Sequence, residues 1–127
     1  MSEEQNFQLS IDVETTYIDE QSDPENDRFV FAYTIIIRNT GTVAAKLISR
    51  HWIITDANNY TQEVKGEGVV GEQPHLSPGE GFQYTSGTVL DTPIGSMHGS
   101  YQMVSDDGEE FDAEIPMFTL SRPNALH

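Results

Sequence analysis

Phe29-Val30-Phe31-Ala32-Tyr33-Thr34-Ile35-Ile36-Ile37-Arg38 is the stretch that decides the fold. Both of its alternating sets are largely apolar and rich in β-branched and aromatic residues, as in a central strand with both faces covered. Upstream, Phe7, Leu9, Ile11, Val13 and Tyr17 alternate with Gln8, Ser10, Asp12, Glu14 and Thr16. That period of two sets one face on a core and the other in water. Downstream, residues 46–56 predict a further strand, with Trp52 in phase with Ile48 and Ile54, Arg50 interrupting that face and His51 on the opposite one. A short run from Thr61 to Lys65 follows the turn-prone Asn58-Asn59. Phe82, Tyr84, Ser86, Thr88 and Leu90 share one phase, and so do Met97, Gly99, Tyr101 and Met103. The last run, Phe111, Ala113 and Ile115, shifts phase at Pro116 before Phe118 and Leu120. Proline cannot donate to a ladder, so Pro116 marks an edge or a bulge.

The segments between these runs carry turn chemistry: Asn39-Thr40-Gly41, Ser77-Pro78-Gly79, Asp91-Thr92-Pro93 and Asp106-Asp107-Gly108. No window holds a helical period; Thr40 to Ala45 could form a helical turn at most. The pattern predicts an all-β, immunoglobulin/fibronectin type III-like antiparallel β-sandwich of about seven strands, with a small barrel as the alternative. A chain of 127 residues is long enough for one core, so residues 1–127 read as a single domain with flexible ends at 1–6 and 121–127.

The 21 acids and 6 bases give a net charge of −15, and there is no cysteine. Disulfides, cysteine nucleophiles and thiolate-bound metals are thereby excluded. Nucleic acid is a poor partner, because phosphates must be met by Lys and Arg, and the same repulsion disfavours anionic membranes. Met1-Ser2-Glu3-Glu4-Gln5 has neither a basic nor an apolar leader region, so a cytoplasmic location is expected. The charge is uneven: residues 1–27 hold 9 acids and no base, residues 28–65 hold 2 acids and 5 bases, and residues 66–127 hold 10 acids and 1 base. Arg28, Arg38, Lys46, Arg50 and Lys65 could form one cationic patch on an anionic body.

Gly66-Glu67-Gly68-Val69-Val70-Gly71 matches the dinucleotide-binding glycine pattern letter for letter. That pattern works when the glycines turn a strand into a helix whose N-terminus holds pyrophosphate. Here Gln73-Pro74 and Ser77-Pro78-Gly79 leave no room for a helix, and Glu67 and Glu72 would repel phosphate. A glycine-rich loop between strands is the first reading, and phosphate held by loop amides the second. The histidines (His51, His75, His98 and His127) show no ligand spacing; His75, in the loop, is the better functional candidate. Two acidic runs, residues 19–27 and 106–110, read as a solvated loop and a hairpin turn, with weak Mg²⁺ or Ca²⁺ association as the alternative. Ser86, Ser96 and Ser100 lack any nucleophile signature, so no catalytic residue, cofactor or metal site is assigned.

Three runs, residues 49–57, 63–74 and 82–87, resemble the bacterial ApaG family, also called CorD, and residues 92–103, Gly108, Phe111 and 115–120 continue the likeness. One departure is Asn59, where many members have glycine; asparagine tolerates the left-handed conformation, so the turn should survive. The resemblance implies a fibronectin type III-like sandwich and an association with diadenosine tetraphosphate hydrolase, cobalt resistance and magnesium efflux. Related domains in eukaryotic F-box proteins and in a DNA polymerase δ-interacting protein imply partner recognition. The leading expectation is therefore a non-enzymatic module that binds a protein partner. The alternative is binding of a phosphorylated (di)nucleotide or a divalent cation at the glycine-rich loop. Both readings use the loop Lys65, Gly66, Gly68, Val69, Val70, Gly71, Glu72, Gln73, Pro74 and His75, flanked by Arg50 and His51. Val69 and Val70 are either exposed contacts or buried plugs.

Overall fold

The computed structural model describes residues 7–123. Alternation builds eight antiparallel strands: β1 (Leu9–Tyr17), β2 (Phe29–Asn39), β3 (Ala45–Asp56), β4 (Thr61–Glu67), β5 (His75–Leu76), β6 (Gly81–Leu90), β7 (Ile94–Ser105) and β8 (Glu110–Ser121). One sheet has the order β1-β2-β6; the other runs β4-β3-β7-β8, with β5 added to the start of β3. The barrel alternative is thereby replaced by a sandwich, and β2 is the central strand of its sheet. The expected cover on both faces is corrected, since Ala32, Thr34 and Ile36 on the outer face are only half-buried, with no second layer among the described residues packed on them. The sequence pattern misses only β5, two residues long and held against Ala45 and Lys46. Thr40 to Ala45 contains no helical turn; two 3₁₀ turns, Asp19–Gln21 and Pro24–Asn26, lie instead in the acidic loop.

The inner faces share one core, led by Trp52, Tyr101, Phe31, Ile35, Ile37, Leu47 and Met97. Trp52 sits at its centre, with ring centroids 5.5 Å from Tyr33, 5.9 Å from Phe118 and 6.4 Å from Tyr101, all near edge-to-face. Such pairs add about 0.5–1.5 kcal/mol each beyond simple burial. A register shift in β3 between Leu47 and Ser49 corrects the expected phase: Leu47 takes the inner position and Ile48 is only half-buried. A second shift, between Met97 and Gly99, places Pro116 in the bulge of the edge strand β8. Of the residues expected to be flexible ends, Ser121 is paired to Ile94 and Arg122 N–H donates to the Pro93 carbonyl. Residues 1–6 and 124–127 lie outside the described residues. Asn59 adopts a φ of +65°, the left-handed state that asparagine tolerates. No helix among the described residues is long and apolar enough to cross a membrane.

The two sides of the sandwich differ. Next to β1 and β8, Phe7 stacks on Phe111 at 4.9 Å and helps close the seam. On the other side β4 and β6 are both edge strands, and the seam between them stays open.

Candidate functional site

The glycine motif forms the hinge end of that open seam. Val69 and Glu72 exchange backbone hydrogen bonds of 2.8 and 2.9 Å around Val70 and Gly71, whose φ values are +48° and +78°. Positive φ at both central positions is the type I′ turn that suits a tight hairpin. Gly68 N–H and Gln73 Nε2 both donate to the Ile48 carbonyl, 2.8 and 2.9 Å away, which pins the loop to the β3 bulge. Gly68 and Gly71 thus have a backbone reason and Gly66 a side-chain one. A Cβ on Gly68 would lie 2.2 Å from the Glu72 carbonyl oxygen, at a φ of +61°, and Gly71 fills the second turn position. On Gly66 a Cβ would meet Arg50 Nη1 at 2.7 Å, because the Arg50 side chain crosses β4 there.

Arg50 belongs to the inner face. It stands directly across from Gly66 on β4 and from the fully buried Tyr101 on β7. Its Nη1 donates to the carbonyls of Glu67 at 3.0 Å and Gly68 at 2.9 Å. Among the described residues no carboxylate forms an ion pair with Arg50. Beside it the Tyr84 and Tyr101 hydroxyls lie 2.5 Å apart, and burial pushes both phenols above the ordinary tyrosine range, so they stay protonated donors at neutral pH. Trp52 Nε1 is buried without an acceptor.

These residues form a crevice in two lobes. One, of about 290 Å³, is lined by Glu67, Val69, Val70, Thr85 and Ser86. The other, of about 370 Å³, is lined by Ile54, Gln62, Val64, Thr88 and Val89. Tyr33, Arg50 and Trp52 border both lobes. Tyr60 extends the seam beside Val89 and Leu90.

The sequence candidates divide accordingly. Arg50, Gly66, Val69 and Val70 meet at the crevice. Val69 is 1% exposed and plugs the core while Val70 is 62% exposed, so the two readings of this pair each hold for one residue. Lys65 and His51 face each other on the outer side of the sheet, where Glu63 Oε1 lies 3.8 Å from Lys65 Nζ and 2.5 Å from His51 Nε2. His75 is on β5, 2.7 Å from Asp106, and Pro74 accepts from Leu47 N–H. The five cations do not gather into one patch, since Arg38 and Arg50 belong to different sheets, Lys46 is exposed at the start of β3 and Arg28 precedes β2; Arg50 and Lys65 alone come together, bordering one cavity with His51, Gly66 and Glu67. His98 stands on β7 opposite Ile53, and His127 lies outside the described residues. No group of three or more His, Asp or Glu side chains able to hold a metal occurs among the described residues. Sequence reading passes over Tyr60, Gln62, Val64 and Thr85–Val89 as site residues, since nothing in alternation tells which two strand edges will face each other.

Val70 is the strained member. A β-branched residue at positive φ costs roughly 1–2 kcal/mol. Val70→Gly is therefore expected to raise stability by about 1 kcal/mol after allowing for the extra freedom of the unfolded chain. A urea midpoint at or below that of the parent protein would contradict the strained assignment.

The sequence model of the ApaG domain family matches residues 19–105. The protein ApaG of Thiobacillus denitrificans is 65% identical over all 127 residues, and that of Dechloromonas aromatica 60%, each covered over its full length. A crystal structure of the ApaA protein from Bordetella pertussis superposes with a TM-score of 0.91 at 50% identity, covering 95% of this chain and 98% of that one. With the family model spanning residues 19–105 and relatives of 60–65% identity over the full length, the chain belongs to the ApaG domain family.

Proposed function

We propose that the chain is a non-enzymatic binding module that takes an extended segment of a protein partner along the crevice between β4 and β6. One observation carries this reading. Tyr60, Val64, Val70 and Val89, four of the five large hydrophobic residues exposed among the described residues, line that single opening. Scattered exposed hydrophobics need no explanation, but their collection along one groove does. The groove also lies between two unpaired strand edges, the element that β-strand addition uses. The edge strand β8, by contrast, is interrupted by Pro116, a common device against pairing. β4 alone offers seven residues of edge, about 23 Å at a strand's rise, enough for a short peptide.

Selection of a displayed heptapeptide library on the immobilised chain tests this. Enrichment of alternately apolar sequences is expected, with loss of recovery on a Val64→Asp/Val70→Asp variant. Both residues are exposed, so that variant should keep the parent circular dichroism spectrum. Equal recovery on parent and folded variant would sink the reading.

Binding of a phosphorylated nucleotide at the loop has less support. The amides of Gly68, Val69 and Glu72 already donate within the protein, and Lys65 is turned to the outer face. On the docking reading, the family's association with cobalt and magnesium homeostasis acts through the partner that occupies the crevice.

A further inference from the structure

Arg50 stands where the two lobes of the crevice meet, half-buried and without a carboxylate partner among the described residues, in a chain of net charge −15. Taking a guanidinium out of water is costly unless an anion or several acceptors compensate. Only Nη1 has acceptors here, the carbonyls of Glu67 and Gly68. In the same crevice Trp52 Nε1 has no acceptor. Two donors with unused capacity thus share one cavity whose ends are apolar.

Building on the docking reading, we infer that the crevice selects a segment carrying one carboxylate side chain between two apolar ones at alternate positions, the carboxylate pairing with Arg50. The spacing follows from strand geometry. Val64 lies two residues from Gly66, which faces Arg50, and Val69 and Val70 lie just beyond on the other side. Side chains two apart on an extended segment share a face at roughly 7 Å spacing, so the central one meets Arg50 when its neighbours meet the two valine lobes. A carboxylate fits better than a phosphate because Arg50 is the one cation facing this crevice among its lining residues, while Glu67 lines the same lobe. A monoanion matches one guanidinium; a dianion would meet the acidic surround with its second charge uncompensated.

Trp52, the sole tryptophan, sits on the crevice floor and reports binding by its own fluorescence. The chain is titrated with a blocked peptide of valine, glutamate and valine at alternate positions separated by threonine, with its glutamine counterpart, and with its phosphoserine counterpart. The glutamate peptide should bind about tenfold more tightly than the glutamine one, the worth of a hydrogen bond to a charged group. Arg50→Gln should erase that preference. The peptide comparison uses the unaltered chain, so it decides even if Arg50→Gln loosens the loop. Equal affinity for the glutamate and glutamine peptides overturns the carboxylate subsite and leaves the docking groove standing. Tighter binding of the phosphoserine peptide overturns the choice of carboxylate. No fluorescence change with any peptide at millimolar concentration overturns the subsite and the groove together.

Discussion

Gly99→Ala is expected to remove a large part of the stability of the fold, although it adds a single methyl group. Gly99 pairs with Trp52 of β3 and with Ile115 of β8, beside the register shift in β7. A Cβ there would lie 2.0 Å from the His51 carbonyl oxygen and 3.1 Å from Trp52 Cα. Both are backbone atoms, so no flexible side chain can move aside. Relief requires β3 and β7, the central pair of the larger sheet, to part. Overpacking usually costs about 1–3 kcal/mol and sometimes more; with rigid backbone in the way, about 3 kcal/mol or more is expected. Domains are stable by only about 5–15 kcal/mol in total. Thermal unfolding followed by circular dichroism should show a midpoint lowered by ten degrees or more, taking about 4 °C per kcal/mol. An unchanged midpoint would show that the strands do not approach as closely as described.

Trp52→Ala is the second large effect. The side chain is 2% exposed and touches three aromatic rings from both sheets. Deleting a buried aromatic side chain costs about 3–5 kcal/mol, because a cavity of that size collapses only in part. Trp52→Phe keeps a ring in place and should cost less than half of that. Urea unfolding measures both, with circular dichroism as the signal because the variants lack the only tryptophan. A midpoint for the alanine variant equal to that of the parent protein would place Trp52 outside the load of the core.

Strand identity was readable because burial imposes a period of two. Phe29 to Arg38 reads as a central strand with both faces covered; it is central in its sheet, but Ala32, Thr34 and Ile36 on its outer face are only half-buried. The phase shift at Pro116 marks the bulge in β8. Pattern failed where backbone irregularity altered phase without a residue signal. At Ile48 the bulge sends Leu47 inward, and nothing in Leu47-Ile48-Ser49 distinguishes the two phases. Similarly, β5 is too short to show periodicity and exists only because β3 offers an edge. The glycine motif was legible as a loop, since the prolines bar a helix. Its separate reasons were not: Gly66 clears Arg50, Gly68 clears the Glu72 carbonyl, and Gly71 supplies the turn.

The alternation of apolar residues by itself determined an all-β fold with Trp52 in its core, because a local pattern suffices to say which face of a strand is buried; the choice of sandwich over barrel waited for the strand order. The same alternation also placed Arg50 on the inner face, against expectation for a charge. Only the tertiary structure decided what that arginine faces. Whether an inward charge meets a carboxylate, water or an open seam depends on which strands end up as edges, and strand order is set by long-range pairing. Here β4 and β6 are left as neighbouring edges, so Arg50 faces an open crevice.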